Sequence, residues 1–145
     1  MASGRQLFCR VITPERTIFD GEADRVITRI EDGEIGVLAD HIPLVSTVEI
    51  GDVRILQEDE TSVFATSDGF FKVSENLVLI LVEEASPAEE IDVDEAQNHL
   101  EEVVEGEPVE DGEDEEAAER VRAERDRRRR IAENLVRVAR KYGEG

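Results

Sequence analysis

The sequence predicts an α+β chain, with an antiparallel β-sandwich or barrel first and a C-terminal pair of helices after it. Three observations predict it. As far as Glu84 the apolar residues come in short runs rich in β-branched and aromatic side chains, divided by Gly, Asp and Asn. After Ser86-Pro87 the apolar spacing changes to that of a helix. The arginines, finally, are crowded towards the C-terminus of an otherwise acidic chain.

The strand runs are residues 7–12, 17–19, 25–30, 52–57, 62–66, 70–73 and 77–82. Asp20-Gly21, Asp32-Gly33, Gly51-Asp52, Asp68-Gly69 and Glu75-Asn76 are the punctuation between them, residues that accept turn conformations others resist. Seven or more short strands with closely spaced turns argue for a sandwich or barrel. Leu77-Val78-Leu79-Ile80-Leu81-Val82 is apolar on both faces, which predicts a central strand. Cys9, the only cysteine, sits in the first run, so it reads as a strand residue and no internal disulfide can form.

Residues 31–45, Glu31-Asp32-Gly33-Glu34-Ile35-Gly36-Val37-Leu38-Ala39-Asp40-His41-Ile42-Pro43-Leu44-Val45, combine turn residues, a short apolar run, a His and a Pro. Glycines at 33 and 36 allow two sharp bends, and Pro43 cannot donate to a sheet ladder. The stretch therefore reads as a bent surface loop.

Ile91-Asp92-Val93-Asp94-Glu95 opens the first helix, with Asp92 as N-cap and Glu95 three residues on. Val93, Ala96, Leu100, Val103 and Val104 make its apolar stripe. Gly106, Pro108 and Gly112 break the pattern in an acidic linker, 107–116, which reads as flexible with loosely held cations. A second helix runs from about Glu113 to Tyr142, with Ala117, Val121, Ile131, Leu135, Val138 and Tyr142 near one face. Both stripes are thin, so the hairpin must pack on the sandwich or on another chain, and it is a candidate movable element. Residues 1–87 and 88–145 thus separate as two units.

The net charge is −20, and 15 of the 17 basic residues are Arg. Such an acidic, lysine-poor chain fits solubility in concentrated salt, or else a GC-rich genome. Residues 119–142 hold ten basic and four acidic side chains, a net +6, while the rest of the chain carries −26. The basic helix is either a solvated face or a docking helix for an acidic partner, because guanidinium forks suit carboxylates. Nucleic acid is disfavoured as a partner, since the acidic body repels phosphate. No phosphate-binding loop, metal-ligand spacing or nucleophile elbow is present, so no catalytic residue and no cofactor is expected. His99 lies among acidic residues and reads as solvated or ion-paired. No apolar run approaches the ~18 residues that would span a bilayer, which predicts a soluble protein that meets membranes only through partners.

Several motifs, in order, resemble the ε subunit of bacterial F-type ATP synthases. Val11-Ile12-Thr13-Pro14-Glu15 resembles its opening strand and turn, residues 31–45 its signature loop, and Gly51-Asp52-Val53-Arg54-Ile55 a later turn and strand. Glu49-Ile50 stands where a proline is usual, and Ser67-Asp68-Gly69-Phe70 is similar to a Ser-Gly-Gly-Phe segment. The resemblance implies a ten-stranded antiparallel β-sandwich followed by a C-terminal two-helix hairpin. It also implies a non-catalytic central-stalk role at the cytoplasmic face of the membrane, joining the c-ring to the γ subunit. Glu34 and His41 would then be rotor contacts. The hairpin would restrain ATP hydrolysis in the α/β hexamer, with Arg122, Arg125, Arg128 and Arg129 aimed at an acidic loop of β. Family members that bind ATP as a regulatory ligand carry Ile-Asp-x-x-Arg-Ala at the hairpin start; here Ile91 and Asp92 match, but Glu95 replaces the arginine. The carboxylate would repel a polyphosphate, which argues against ATP as a ligand. A free-standing sandwich adaptor that docks an acidic partner is the alternative reading.

Overall fold

The computed structural model describes residues 5–106 and 114–143. Most of the acidic linker, with Pro108 and Gly112, lies outside the described residues. Ten strands precede the helices: β1 (Leu7–Ile12), β2 (Thr17–Ala23), β3 (Arg25–Ile30), β4 (Gly33–Val37), β5 (Leu44–Val48), β6 (Gly51–Gln57), β7 (Glu60–Thr66), β8 (Gly69–Ser74), β9 (Leu77–Val82) and β10 (Ala85–Pro87). A single 3-10 turn, Ala88–Glu90, leads to α1 (Val93–Glu105) and α2 (Glu115–Tyr142).

The strands form two five-stranded sheets, β2-β1-β9-β8-β5 and β10-β7-β6-β3-β4. Alternate residues face inward, as a two-layer sandwich demands. Leu7, Cys9, Val11, Val78, Ile80, Phe71 and Val73 from the first sheet meet Val26, Val37, Val53, Ile55 and Phe64 from the second. Phe19 packs edge-on against Phe64, ring centroids 6.0 Å apart. The sandwich is antiparallel throughout its registers except for one pair, since β1 runs parallel to β9. β9 is central, as its composition requires. Its outward residues are nevertheless only part-covered, and Leu81 is exposed.

Local expectations were corrected in several places, Gly51-Asp52 among them, since both residues pair within β6, opposite Thr66 and Ala65. Residues 31–45 are not one bent loop, because Gly33–Val37 is the edge strand β4, paired to β3 with Gly36 opposite Ile27. Of the two glycines only Gly33 adopts a positive φ, +126°, while Gly36 stays extended; the second left-handed residue of the stretch is Asp40, at +66°. Asp20-Gly21 is likewise no turn but part of β2, with Gly21 opposite Cys9. In each case a neighbouring strand supplies ladder partners that outweigh weak local preference. Glu75 and Asn76, by contrast, both take positive φ in the two-residue β8–β9 connection, the conformation that matches strand twist.

Asp92 caps α1, its Oδ1 accepting from Glu95 N at 3.1 Å, and Asp114 caps α2, accepting from Glu116 N at 3.0 Å. The helices pack on each other and α2 lies on the outer face of the second sheet, over β6 and β7. Val138 fills a small apolar cluster with Ala65 and Ala88, edged by Val63, Ile91, Leu135 and Tyr142. The buried side of α2 is made by Ile131, Ala132, Asn134, Val136, Val138 and Ala139, whereas Val121 stays exposed. The apolar stripe thus seals only the C-terminal half of the helix.

Candidate interaction surfaces

The two outer faces of the sandwich differ. On the first sheet Phe8, Val45, Phe70 and Leu81 point outward and are exposed, Phe70 by 60% and Val45 by 70%. Leu38 and Ile42, in the β4–β5 connection, are exposed as well, Ile42 by 74%. Large apolar side chains gathered on one face of a sheet mark a surface meant for a partner. A groove of about 510 Å³ lies at its border, lined by Ile12, Pro14, Phe70, Leu81 and Arg127 among others.

The second sheet carries the hairpin, and polar contacts hold it there. Asn134 is buried and donates through Nδ2 to Gly51 O at 2.8 Å. Arg137 Nη2 donates to Asn134 Oδ1 at 2.9 Å and to Asp52 Oδ1 at 3.0 Å. Tyr142 donates its hydroxyl to Asp52 Oδ2 at 3.3 Å. Asp52 is itself buried, so its charge is matched at close range rather than by water. Near the middle of α2, Arg127 Nε donates to Asp68 Oδ1 at 2.9 Å and its Nη2 to Glu83. Burial works against the Arg127 charge, but the hydrogen bonds it donates to Glu83 and Asp68 outweigh this and hold the guanidinium above its ordinary pKa.

The expected site residues fall into separate places. Glu34 is the second residue of β4 and accepts from Arg54 Nη2 at 2.7 Å. His41 lies beyond the other end of that strand, about 10 Å of strand rise away before the loop begins, its Nδ1 2.6 Å from Ile42 O. Arg122, Arg125 and Arg129 line a groove of about 600 Å³ between α1 and α2, together with Val103 and Val104. Arg128 is not among its lining residues, and Arg129 pairs with Asp126 at 2.9 Å. Ile91 belongs to the apolar cluster and Asp92 to the α1 cap, about 16 Å along the helix from Val103. His99 is exposed on α1.

Sequence reasoning passed over the residues that dock the hairpin, namely Asp52, Asp68, Asn134, Arg127 and Arg137. The one available signal was Asn134, a polar side chain within the apolar stripe of α2. Cys9 is buried in β1, its thiol pushed up to about 12 by desolvation and, secondarily, by Asp20. No group of metal-ligating side chains occurs among the described residues, and no helix among them is long and apolar enough to cross a membrane.

Comparison with known proteins agrees with this architecture. The family described as "ATP synthase, Delta/Epsilon chain, beta-sandwich domain" matches residues 6–88. The ATP synthase epsilon chain of Rubrobacter xylanophilus is 58% identical over 142 residues, covering 98% of this chain and 97% of that one. The epsilon chain of Desulfitobacterium hafniense strain Y51 is 42% identical over 87 residues, 60% of this chain and 66% of that one. Among solved structures, a chain of the Euglena gracilis mitochondrial ATP synthase (OSCP/F1/c-ring) superposes with a TM-score of 0.68 at 26% identity, covering 93% of this chain and 84% of that one. A chain from the central stalk and c-ring of the Tetrahymena thermophila mitochondrial enzyme shares the fold, with a TM-score of 0.59 at 12% identity, covering 93% of this chain and 99% of that one. With the sandwich matched from end to end and a relative similar over nearly the full length, the chain belongs to the ATP synthase epsilon-chain family.

Proposed function

We propose that this chain is a non-catalytic central-stalk subunit that couples the c-ring to the γ subunit of an F-type ATP synthase and restrains ATP hydrolysis through its C-terminal helices. The observation that carries the reading is the division of labour between the two faces of the sandwich. One outer face is apolar and uncovered, with Phe70 and Val45 exposed by 60% and 70%, and suits permanent packing against a shaft. The opposite face holds the hairpin, whose second helix is rich in arginine, through a small cluster of Ala and Val and a handful of polar contacts. Residues 1–87 would seat on γ and the c-ring, with Glu34 and His41 at the rotor contacts. Residues 88–145 would form the movable arm. Once released, Arg122, Arg125, Arg128 and Arg129 could meet acidic groups of the α/β hexamer, their planar forks pairing with carboxylates. The subunit would then work at the cytoplasmic face of the membrane, held there by the complex.

The test is ATP hydrolysis by the cognate catalytic core carrying γ, reconstituted with the full chain and with a chain ending after Glu90, which keeps β10 and the 3-10 turn. Faster turnover with the shortened chain, at equal γ binding, is expected, and joint replacement of the four arginines by alanine should reproduce it. Equal rates would remove the restraining role from the helices. Failure of the full chain to bind γ would favour a free-standing adaptor.

A further inference from the structure

The outer face of the second sheet carries a line of charge that runs from its edge strand to the hairpin. Glu34 on β4 holds Arg54 on β6, with 2.7 Å between Oε2 and Nη2. Arg54 Nε in turn stands 3.4 Å from Asp52 Oδ2. Asp52 Oδ1 accepts from Arg137 on α2, and Oδ2 from Tyr142 at the end of that helix. Glu34 and the hairpin are therefore linked through two side chains of one strand.

The middle of the line is contested. Arg54 Nε is buried and makes no hydrogen bond, although a carboxylate oxygen lies beside it. One arginine is drawn to Glu34 while the buried carboxylate it could fully engage is already bonded by two groups of α2. An unmet buried donor 3.4 Å from a carboxylate oxygen that α2 already shares costs free energy in this arrangement and favours a rearrangement in which it is paired.

We propose that Asp52 couples the state of Glu34 to the docking of α2. When a cationic side chain of a partner takes the Glu34 carboxylate, Arg54 is freed, turns fully onto Asp52 and displaces Arg137 and Tyr142, which loosens the C-terminal half of the helix. By linkage, a released hairpin leaves Asp52 to Arg54 and so presents Glu34 more readily to that partner. The coupling rests on the reading above that the Glu34 edge meets the rotor. It would make seating on the rotor and release of the arm two aspects of one equilibrium.

Hydrogen–deuterium exchange of the full chain, alone in solution, tests the coupling without any partner. Glu34→Gln removes the charge that holds Arg54 but touches no residue of α2. It should speed amide exchange over residues 134–142 about threefold or more, with the β6 and β9 amides unchanged. In an Arg54→Gln background the same substitution should have no effect on α2. Unchanged exchange in Glu34→Gln, equal acceleration without Arg54, or loosening of β6 and β9 alongside α2 would each overturn the proposal. Failure of the central-stalk reading would appear instead as failure to bind γ, a separate measurement.

Discussion

Asn134 offers the sharpest test of how the hairpin is held. Its side chain donates to Gly51 O at 2.8 Å and reaches Thr66 O at 3.5 Å, while Oδ1 accepts from Arg137 at 2.9 Å. Asn134→Ala therefore removes the donor to the carbonyl that opens β6 and the acceptor that, beside Asp52, holds Arg137 in place. Truncating one partner of a buried hydrogen bond costs about 1–3 kcal/mol. At about 2 kcal/mol the ratio of docked to released hairpin falls about 30-fold. Trypsin reads this directly, because ten of the chain's 17 basic residues lie between 119 and 142 and a helix must unwind to enter the protease. When opening and reclosing are fast, the cleavage rate follows the open population. Cleavage within α2 should rise about 30-fold in Asn134→Ala. Asn98→Ala, on the exposed side of α1, should leave it unchanged. A rise of less than about threefold in Asn134→Ala would show that the apolar cluster holds the helix and that the polar contacts are incidental.

Other outcomes follow from the same geometry. A Cβ at Gly69 would sit 2.1 Å from Leu81 O, so Gly69→Ala must part β8 from β9 and should cost about 2–4 kcal/mol, seen as a lower melting temperature. Phe70→Asp should abolish γ binding while the melting temperature stays within a few degrees, since Phe70 is 60% exposed and supports no core contact. Asp92→Ala should cost about 1 kcal/mol through loss of the α1 cap, measurable as faster exchange of the first-turn amides. Cys9 should resist thiol reagents until the sandwich unfolds, because its pKa is raised to about 12. The folded thiol holds its proton more tightly than the unfolded one, so its contribution to stability is complete below pH 9.0 and is lost as pH rises towards about 12. Cys9→Ser should make the melting temperature less sensitive to pH across that window.

The sequence by itself determined whatever depends on neighbours a few residues apart. The alternation of β1, the Glu75-Asn76 turn, the Asp92 cap and the change of period after Pro87 are local effects of backbone preference and side-chain spacing, and each is present in the fold. The concentration of arginine in α2 was equally plain. Tertiary structure alone decided the parallel pairing of β1 with β9, since strand partners distant in the chain leave no local signature. It also made a strand of residues 33–37, whose two glycines favour bending until β3 supplies a ladder. Above all, it chose which arginines bind the sandwich. Arg127 and Arg137 find Asp68, Glu83 and Asp52 because the cluster around Val138 fixes the rotation of α2, whereas helical charge composition treats all nine arginines of that segment alike. Asp52, one carboxylate among 37 acidic residues, becomes distinctive only when β6 places it under the helix and away from water.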